Sequence, residues 1–152
     1  MLNSRLIIEL LEAKDASCVR KLLVSGLTER WGTYEALFNP DIETLPLSYQ
    51  ESFFLVAKLS GQVVGTGILK PMGSDRGEIC RMSVAQSHRR LGIGRLILNR
   101  LLGLAHELRM REVCLETASS WESAVKFCSR HGFRRTHEKD GNSYFSYVLR
   151  QG

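Results

Sequence analysis

The sequence predicts one domain of the α/β (α+β) class, in which a central mixed, mostly antiparallel sheet carries helices on both faces. The length of 152 residues suits a single hydrophobic core. Strand-like and helix-like runs follow one another in the order β-α-(α)-β-β-β-α-β-α-β-β, without a repeat or a linker between them. That order favours a mixed sheet that is covered by helices on both sides.

The predicted strands are apolar runs that are bounded by turn residues. They cover residues 6–11, 53–59, 62–70, 77–84, 112–117, 133–137 and 144–149. Gly61 is expected to form the turn of one hairpin, and Asp140-Gly141-Asn142 the turn of another.

The predicted helices have apolar residues at helical spacing. The first begins with Asp15 as a cap and ends near Gly26. The second covers residues 95–109, with five side chains facing the core: Leu96, Ile97, Leu101, Leu104 and Leu108. The third begins with the capping-box pattern of residues 119–122 and ends before Gly132. Residues 27–50 have aromatic residues at helical spacing and then a break at 39–41.

Composition narrows the class of protein and the compartment. No run of 18 apolar residues is present, and the N-terminal stretch has acidic residues within it, so neither a transmembrane helix nor a signal peptide is expected. The four cysteines, Cys18, Cys80, Cys114 and Cys128, are widely spaced, and three of the four lie in apolar runs. We therefore expect buried free thiols in a cytoplasmic protein and no bound metal.

Net charge allows two kinds of anionic partner. The chain carries a formal charge of +5 and has a sequence pI of about 9.2, and its basic residues are densest at 88–95 and 130–139. An anionic cofactor explains two small clusters better than nucleic acid does, because nucleic-acid binding usually requires a larger basic surface.

The segment Arg89-Arg90-Leu91-Gly92-Ile93-Gly94 predicts an anion site. It lies between the predicted strand 77–84 and the predicted helix 95–109. Glycines let the backbone approach a ligand closely, and the first N–H groups of a helix have no intrahelical partner. A surface turn with solvated arginines is the alternative interpretation of this segment.

Known nucleotide motifs do not match this turn. Ile97 stands where a dinucleotide fingerprint needs its third glycine, and no Gly-Lys-Ser or Gly-Lys-Thr is present. Arg89-x-x-Gly92-x-Gly94 instead resembles the acyl-CoA signature of the GNAT superfamily of N-acetyltransferases. Residues 78–84 resemble that family's fourth strand, and residues 124–133 its closing helix and turn.

The resemblance implies a single acyl-CoA N-acyltransferase domain over residues 1–152. It would move an acetyl group from acetyl-CoA directly to a primary amine of a small molecule or protein, without a metal. The implied acetyl-CoA contacts are Met82, Ser83, Val84, Arg89, Arg90, Leu91, Gly92, Ile93, Gly94, Arg95, Ser120, Phe127 and Cys128. A homodimer is left open, and neither a membrane nor nucleic acid is expected as a partner.

Glu78 is the candidate catalytic base that the resemblance implies, since it lies six residues before Val84. The alternative is a solvated carboxylate at a strand end, paired with Arg76. Four carboxylates in residues 29–43 either attract a cationic amine or form a solvated face: Glu29, Glu35, Asp41 and Glu43.

The predicted closing helix departs from the family pattern at two positions. Cys128 stands where the family usually has a tyrosine that protonates the leaving thiolate, and Trp121 stands where it often has asparagine. Ser119 and Ser120 either replace a hydrogen bond near the pantetheine or cap the helix. The missing tyrosine supports the main alternative function, a non-catalytic acyl-CoA-binding sensor or regulatory module.

Overall fold

A computed structural model describes residues 5–149, whose strands form one seven-stranded sheet in the order β1-β2-β3-β4-β5-β7-β6. The strands are β1 (Leu6–Leu10), β2 (Phe53–Leu59), β3 (Gln62–Met72), β4 (Arg76–Val84), β5 (Glu112–Ala118), β6 (Arg134–Lys139) and β7 (Asn142–Val148). Neighbouring strands are antiparallel except for β4 and β5, which run parallel. The predicted mixed, mostly antiparallel sheet is confirmed.

Helices cover both faces of this sheet. They are α1 (Ala16–Trp31), the short α2 (Pro40–Glu43), α3 (Ile93–Glu107) and α4 (Glu122–Arg130), with 3-10 turns at Ala13–Asp15, Ala36–Phe38, Leu47–Tyr49 and Gln86–His88. One buried cluster packs side chains of α3 and α4 on the sheet, and a second packs side chains of α1 and α2 on its other face. The two clusters define the two faces of the sheet, towards which the side chains of β4 point.

Helix α1 is longer than the sequence predicted. Gly26 does not end it; the helix continues to Trp31 and stops at Gly32, which is left-handed with φ of 81°. A Cβ atom on Gly26 would lie 3.0 Å from Ser83 Oγ. Gly26 is therefore a point of close contact between α1 and β4, and the prediction of a helix end there was wrong.

Two predicted helix caps do not form. Asp15 makes no side-chain bond to α1; its buried carboxylate lies 2.9 Å from Lys58 Nζ and accepts a hydrogen bond from the Glu12 backbone. The capping box at residues 119–122 is also absent, because α4 has no side-chain cap and the Ser119 hydroxyl bonds Ser143 at 2.8 Å. In both cases a tertiary partner competes successfully for the capping side chain.

Further burial predictions need correction. Leu108 lies exposed beyond the end of α3, while Leu98 and Ala105 are buried on that helix. Cys128 is buried, but Cys80 and Cys114 are only half-buried, and all four cysteines are free thiols. Within residues 5–149, no helix is long and apolar enough to span a bilayer.

Candidate active site

The site begins where β4 and β5 separate. The two strands pair over only three positions, and the last pair is Glu78 with Cys114. β4 nevertheless continues to Val84 and β5 to Ala118, where β5 is still paired with β7 on its other side. An opening therefore starts after Glu78 and exposes backbone groups of β4 that a sheet neighbour would otherwise occupy.

A β-bulge at Arg81 lies along this opening. The β3–β4 register shifts between Thr66 and Ile68, and Arg81 adopts a φ of 50°. Its carbonyl accepts a hydrogen bond of 2.8 Å from the hydroxyl of Thr66, which is fully buried. The extra residue resets the alternation of side chains, so that Met82 packs towards the α3 and α4 side, as Ile79 does.

The glycine turn follows β4 and opens α3. Gly92 has a φ of 84° and is the N-cap residue, and its carbonyl accepts the first helical bond from Leu96 at 3.1 Å. Because glycine has no side chain, it cannot cap the first N–H groups of α3 itself. Those N–H groups and the positive end of the helix dipole are suited to bind an anion.

Gly94 brings three elements of the site together. A Cβ atom there would lie 3.6 Å from the Phe127 ring and 3.7 Å from Val84 Cγ2. The start of α3, the end of β4 and α4 thus meet with little space between them. A narrow cradle with backbone donors suits a pyrophosphate and a thin pantetheine arm, so the residues present fit acetyl-CoA.

Arg89 makes contacts that the sequence did not predict. Its guanidinium donates two hydrogen bonds of 2.6 Å to Glu29 on α1 and one of 3.2 Å to the Val84 carbonyl. This fork lowers the pKa of Glu29. The side chain therefore braces the turn against α1, while Arg90 and Arg95 are exposed beside it.

Glu78 occupies the point where the opening starts. Its Oε1 lies 3.8 Å from Lys70 Nζ, and 29% of its side chain is exposed. Arg76, the partner considered from the sequence, instead pairs with Glu112 at 3.0 Å. Burial first, and then the negative charge of Glu78, raise the pKa of Cys80 to about 11. Glu78 is thus partly exposed to water and lies near the thiols of Cys80 and Cys114. The pKa of each thiol is raised, so both are protonated.

Helix α4 contributes one buried and one exposed candidate. Cys128 is 5% exposed, and desolvation raises the pKa of its thiol to about 11. Ser120 is exposed just before the helix. Trp121 packs against Trp31 in a tilted arrangement, with ring centroids 4.9 Å apart and the ring planes at 56°, and Arg30 lies 4.7 Å from the centre of the Trp121 ring. The end of α1 therefore contacts the start of α4, which local sequence patterns did not indicate.

The segment between α1 and β2, residues 32–52, lies against the bulge; we call it the α1–β2 segment. Arg81 donates two hydrogen bonds of 2.9 Å to Asp41 and one of 3.1 Å to Asn39. Tyr49 donates a 2.5 Å bond to the same carboxylate. Sequence reasoning missed Arg81, although a lone arginine inside an apolar strand is a signal that a buried partner exists.

The carboxylates considered as amine attractants are mostly paired. Asp41 pairs with Arg81, Glu29 with Arg89, and Glu43 with both Arg20 and the Tyr34 hydroxyl. Three of these four carboxylates therefore form ion pairs that stabilise α1 and the α1–β2 segment. Within residues 5–149, no cluster of histidine, cysteine and carboxylate side chains could hold a metal ion.

A separate depression of about 560 Å³ lies at the opposite end of the β4–β5 pair. Its lining includes two ion pairs, Arg76 with Glu112 and Asp75 with Arg111. It lies away from the glycine turn, so it does not extend the site.

Comparison with known proteins identifies the family of this chain. Residues 17–133 match the model of the acetyltransferase (GNAT) family. The chain is 33% identical over 113 residues to a probable N-acetyltransferase camello from Xenopus tropicalis, covering 73% of this chain and 50% of that protein. The chain thus belongs to the GNAT acetyltransferase family, and it spans about half the length of the curated relatives it matches.

Solved structures share the fold. An acetyltransferase of the GNAT family from Staphylococcus aureus Mu50 superposes with a TM-score of 0.85 at 20% identity, covering 95% of this chain and 99% of that one. PaiA N-acetyltransferase from Thermoplasma acidophilum, solved in complex with coenzyme A, gives 0.83 at 15% identity with the same coverage.

Proposed function

We propose that this protein transfers an acetyl group from acetyl-CoA to a primary amine. The observation that carries the proposal is the arrangement at one end of the sheet. The β4–β5 opening, the uncapped start of α3 and the carboxylate of Glu78 all lie along one strand–turn–helix passage. An anion site, a channel for a thin chain and a proton acceptor are what this transfer requires.

Acetyl-CoA would be held mainly by backbone groups. The N–H groups at Gly92, Ile93 and Gly94 suit the pyrophosphate, and Arg90 and Arg95 add positive charge. The β4 edge at residues 82–84 suits the pantetheine, with Phe127, Cys128 and Ser120 on the α4 side and Leu91 exposed beside the turn. Arg89 contributes by fixing the turn to α1.

The chain's own residues supply proton transfer. Glu78 accepts the proton of the attacking amine, directly or through water. Acetyl-CoA supplies the activated thioester, and the amine attacks it directly. Burial raises the pKa values of Cys80, Cys114 and Cys128, so these thiols are protonated and are poor nucleophiles. This absence of an activated thiol among them supports direct transfer over a covalent enzyme intermediate.

A non-catalytic acyl-CoA sensor is the second candidate. Cys128 favours it, because a buried thiol stands where the family usually has a tyrosine acid. Water in the space of the absent ring would supply the proton to the leaving thiolate in the catalytic case.

An acetyl-CoA turnover assay tests the proposal. The protein is incubated with acetyl-CoA and a panel of primary amines and peptides, and free CoA thiol is measured against protein without amine. Calorimetry with acetyl-CoA runs in parallel. Amine-dependent release of CoA supports the transferase. Binding without turnover supports the sensor, and no binding overturns both. The cytoplasmic location and the homodimer both stay predictions.

A further inference from the structure

The bulge residue Arg81 connects two parts of the site that are distant in sequence. Its backbone belongs to the β4 edge directly before residues 82–84, where the proposed function places the pantetheine. Its guanidinium reaches 40 residues back in the sequence, to Asp41 in α2. Both side chains are about three-quarters buried.

Three independent contacts hold this connection rigid. Asp41 accepts a fork of two hydrogen bonds, and a forked pair fixes orientation as well as distance. Tyr49 donates a third bond to Asp41. On the strand side, the buried Thr66 hydroxyl donates a hydrogen bond to the Arg81 carbonyl, and the φ of 50° at Arg81 is uncommon for a non-glycine residue.

The α1–β2 segment has other attachments as well. Glu43 pairs with Arg20 and so attaches the segment to α1, and Cys80 of β4 packs in the same buried cluster as Ile42. Tyr49 packs on Phe54 of β2, with ring centroids 5.6 Å apart. Among these contacts, the pair of Arg81 with Asp41 is the one that starts at the bulge itself, so a change in the β4 backbone there would reach the segment directly through it.

We propose that Arg81 is a positioning residue whose ion pair with Asp41 couples the acetyl-CoA strand to the α1–β2 segment. The segment packs beside Cys80 of β4, two residues from Glu78, and thus lies near the side from which an amine would approach. When acetyl-CoA fixes the β4 edge, Arg81 holds the segment in place and so orders the acceptor side of the site. This inference rests on the proposed function.

Hydrogen exchange with acetyl-CoA alone tests the coupling, since it needs no identified amine. Exchange of peptides from residues 39–49 is measured with and without acetyl-CoA at a concentration that saturates each variant, as established by calorimetry. In the wild type, acetyl-CoA slows exchange about fivefold or more, as expected for a coupling of ordinary size. In Arg81→Gln the change is below about twofold although acetyl-CoA binds.

Two further variants make the result specific. Asp41→Asn removes the same ion pair from the other side, and it tests the coupling if Arg81→Gln does not fold. The double variant is expected to respond to acetyl-CoA as either single variant does. Arg20→Gln is the matched control, because it breaks the ion pair to Glu43 in the same segment without touching β4, and it keeps the wild-type response.

A merely structural ion pair would lower the melting temperature and leave the acetyl-CoA response intact. An intact acetyl-CoA response in Arg81→Gln overturns this inference and leaves the proposed function standing. So does a wild type that binds acetyl-CoA without a change in exchange. A wild type that does not bind acetyl-CoA overturns the proposed function and this inference with it.

Discussion

The two halves of the candidate site use different chemical groups. The acetyl-CoA half, from β4 through the glycine turn to α3, presents backbone groups and glycines. The acceptor half, the α1–β2 segment, is held by ion pairs and tyrosine hydrogen bonds such as Arg81–Asp41 and Tyr34–Glu43. Backbone donors are fixed by the fold, whereas side-chain pairs depend on charge and on pH.

This difference predicts different sensitivities. The acetyl-CoA half should fail when bulk is added, because its donors work only if the ligand reaches the backbone. The acceptor half should fail when a charge is removed, because a half-buried arginine or carboxylate is then left without its partner. Arg89 joins the acetyl-CoA half to α1, since its backbone lies in the turn and its side chain pairs with Glu29.

The largest expected effect comes from Gly92→Trp. A side chain at this position would block the backbone N–H groups that meet the pyrophosphate. Loss of two hydrogen bonds to a charged group corresponds to roughly 10²- to 10⁴-fold weaker acetyl-CoA binding. Calorimetry measures the dissociation constant, with folding checked by circular dichroism.

Gly73→Trp is the matched control for this substitution. Gly73 also has a positive φ, 78°, with nothing within 4 Å of its Cβ position, but it lies in the turn between β3 and β4. Both variants carry comparable backbone strain. Equal acetyl-CoA affinity in a folded Gly92→Trp protein and the wild type would place the binding site elsewhere.

Glu78→Gln separates proton transfer from binding. The amide keeps the shape of the side chain but cannot accept the proton of the amine, so kcat should fall by about 10²-fold or more. Acetyl-CoA affinity should change less than about twofold. Steady-state kinetics with an amine found in the turnover screen measures this. Glu112→Gln, on the neighbouring strand β5, is the control, and an unaltered pH–rate profile in Glu78→Gln would exclude Glu78 as the base.

Acid should weaken the ion pair of Asp41 with Arg81 in the acceptor half. Burial alone would raise the pKa of Asp41, but hydrogen bonds from Arg81 and Tyr49 outweigh it and lower that pKa below 3.8. The stabilisation is therefore complete above the unfolded pKa and is lost as pH falls through the folded one. At pH 7 we expect Asp41→Asn to be about 1–2 kcal/mol less stable than the wild type, and the gap to close towards pH 2.

Urea denaturation at pH 7, 4 and 2 measures that gap. Asp75→Asn is the control, because its carboxylate is about half exposed and lies 3.9 Å from Arg111. Such a pair contributes below about 1 kcal/mol. A gap for Asp41→Asn that stays constant across this pH range would show that the ion pair does not stabilise the segment.

Local patterns were sufficient to predict the strand, the glycine turn and the helix of the proposed acetyl-CoA half, but not the ion pairs of the acceptor half. Gly92 and Gly94 are visible in sequence, because a strand, a glycine turn and a helix are consecutive. The Arg81–Asp41 pair spans 40 residues and has no periodic signature, so only the fold brings it together. Gly26 misled the helix prediction for a related reason: close packing on Ser83, not a helix end, explains the glycine.

The smallest expected effect is that of Cys128→Ala, which tests whether the acetyl-CoA half needs a side chain for chemistry. Cys128 stands at the position of the family's tyrosine, but it is 5% exposed and packs in the cluster of α3 and α4. Desolvation raises the pKa of its thiol to about 11, so it is protonated at neutral pH, and a cysteine is one phenol ring shorter than tyrosine. Geometry, rather than protonation, therefore argues against a direct role, and we expect kcat to fall less than about tenfold.

Removing the buried sulfur of Cys128 should cost roughly 1 kcal/mol of stability. Steady-state kinetics, with acetyl-CoA affinity and folding measured in parallel, decides the question, and Cys18→Ala, at an exposed position, is the control. A loss of about 10²-fold in kcat with both intact would show that the thiol protonates the leaving group, and that this half of the site depends on a side chain after all.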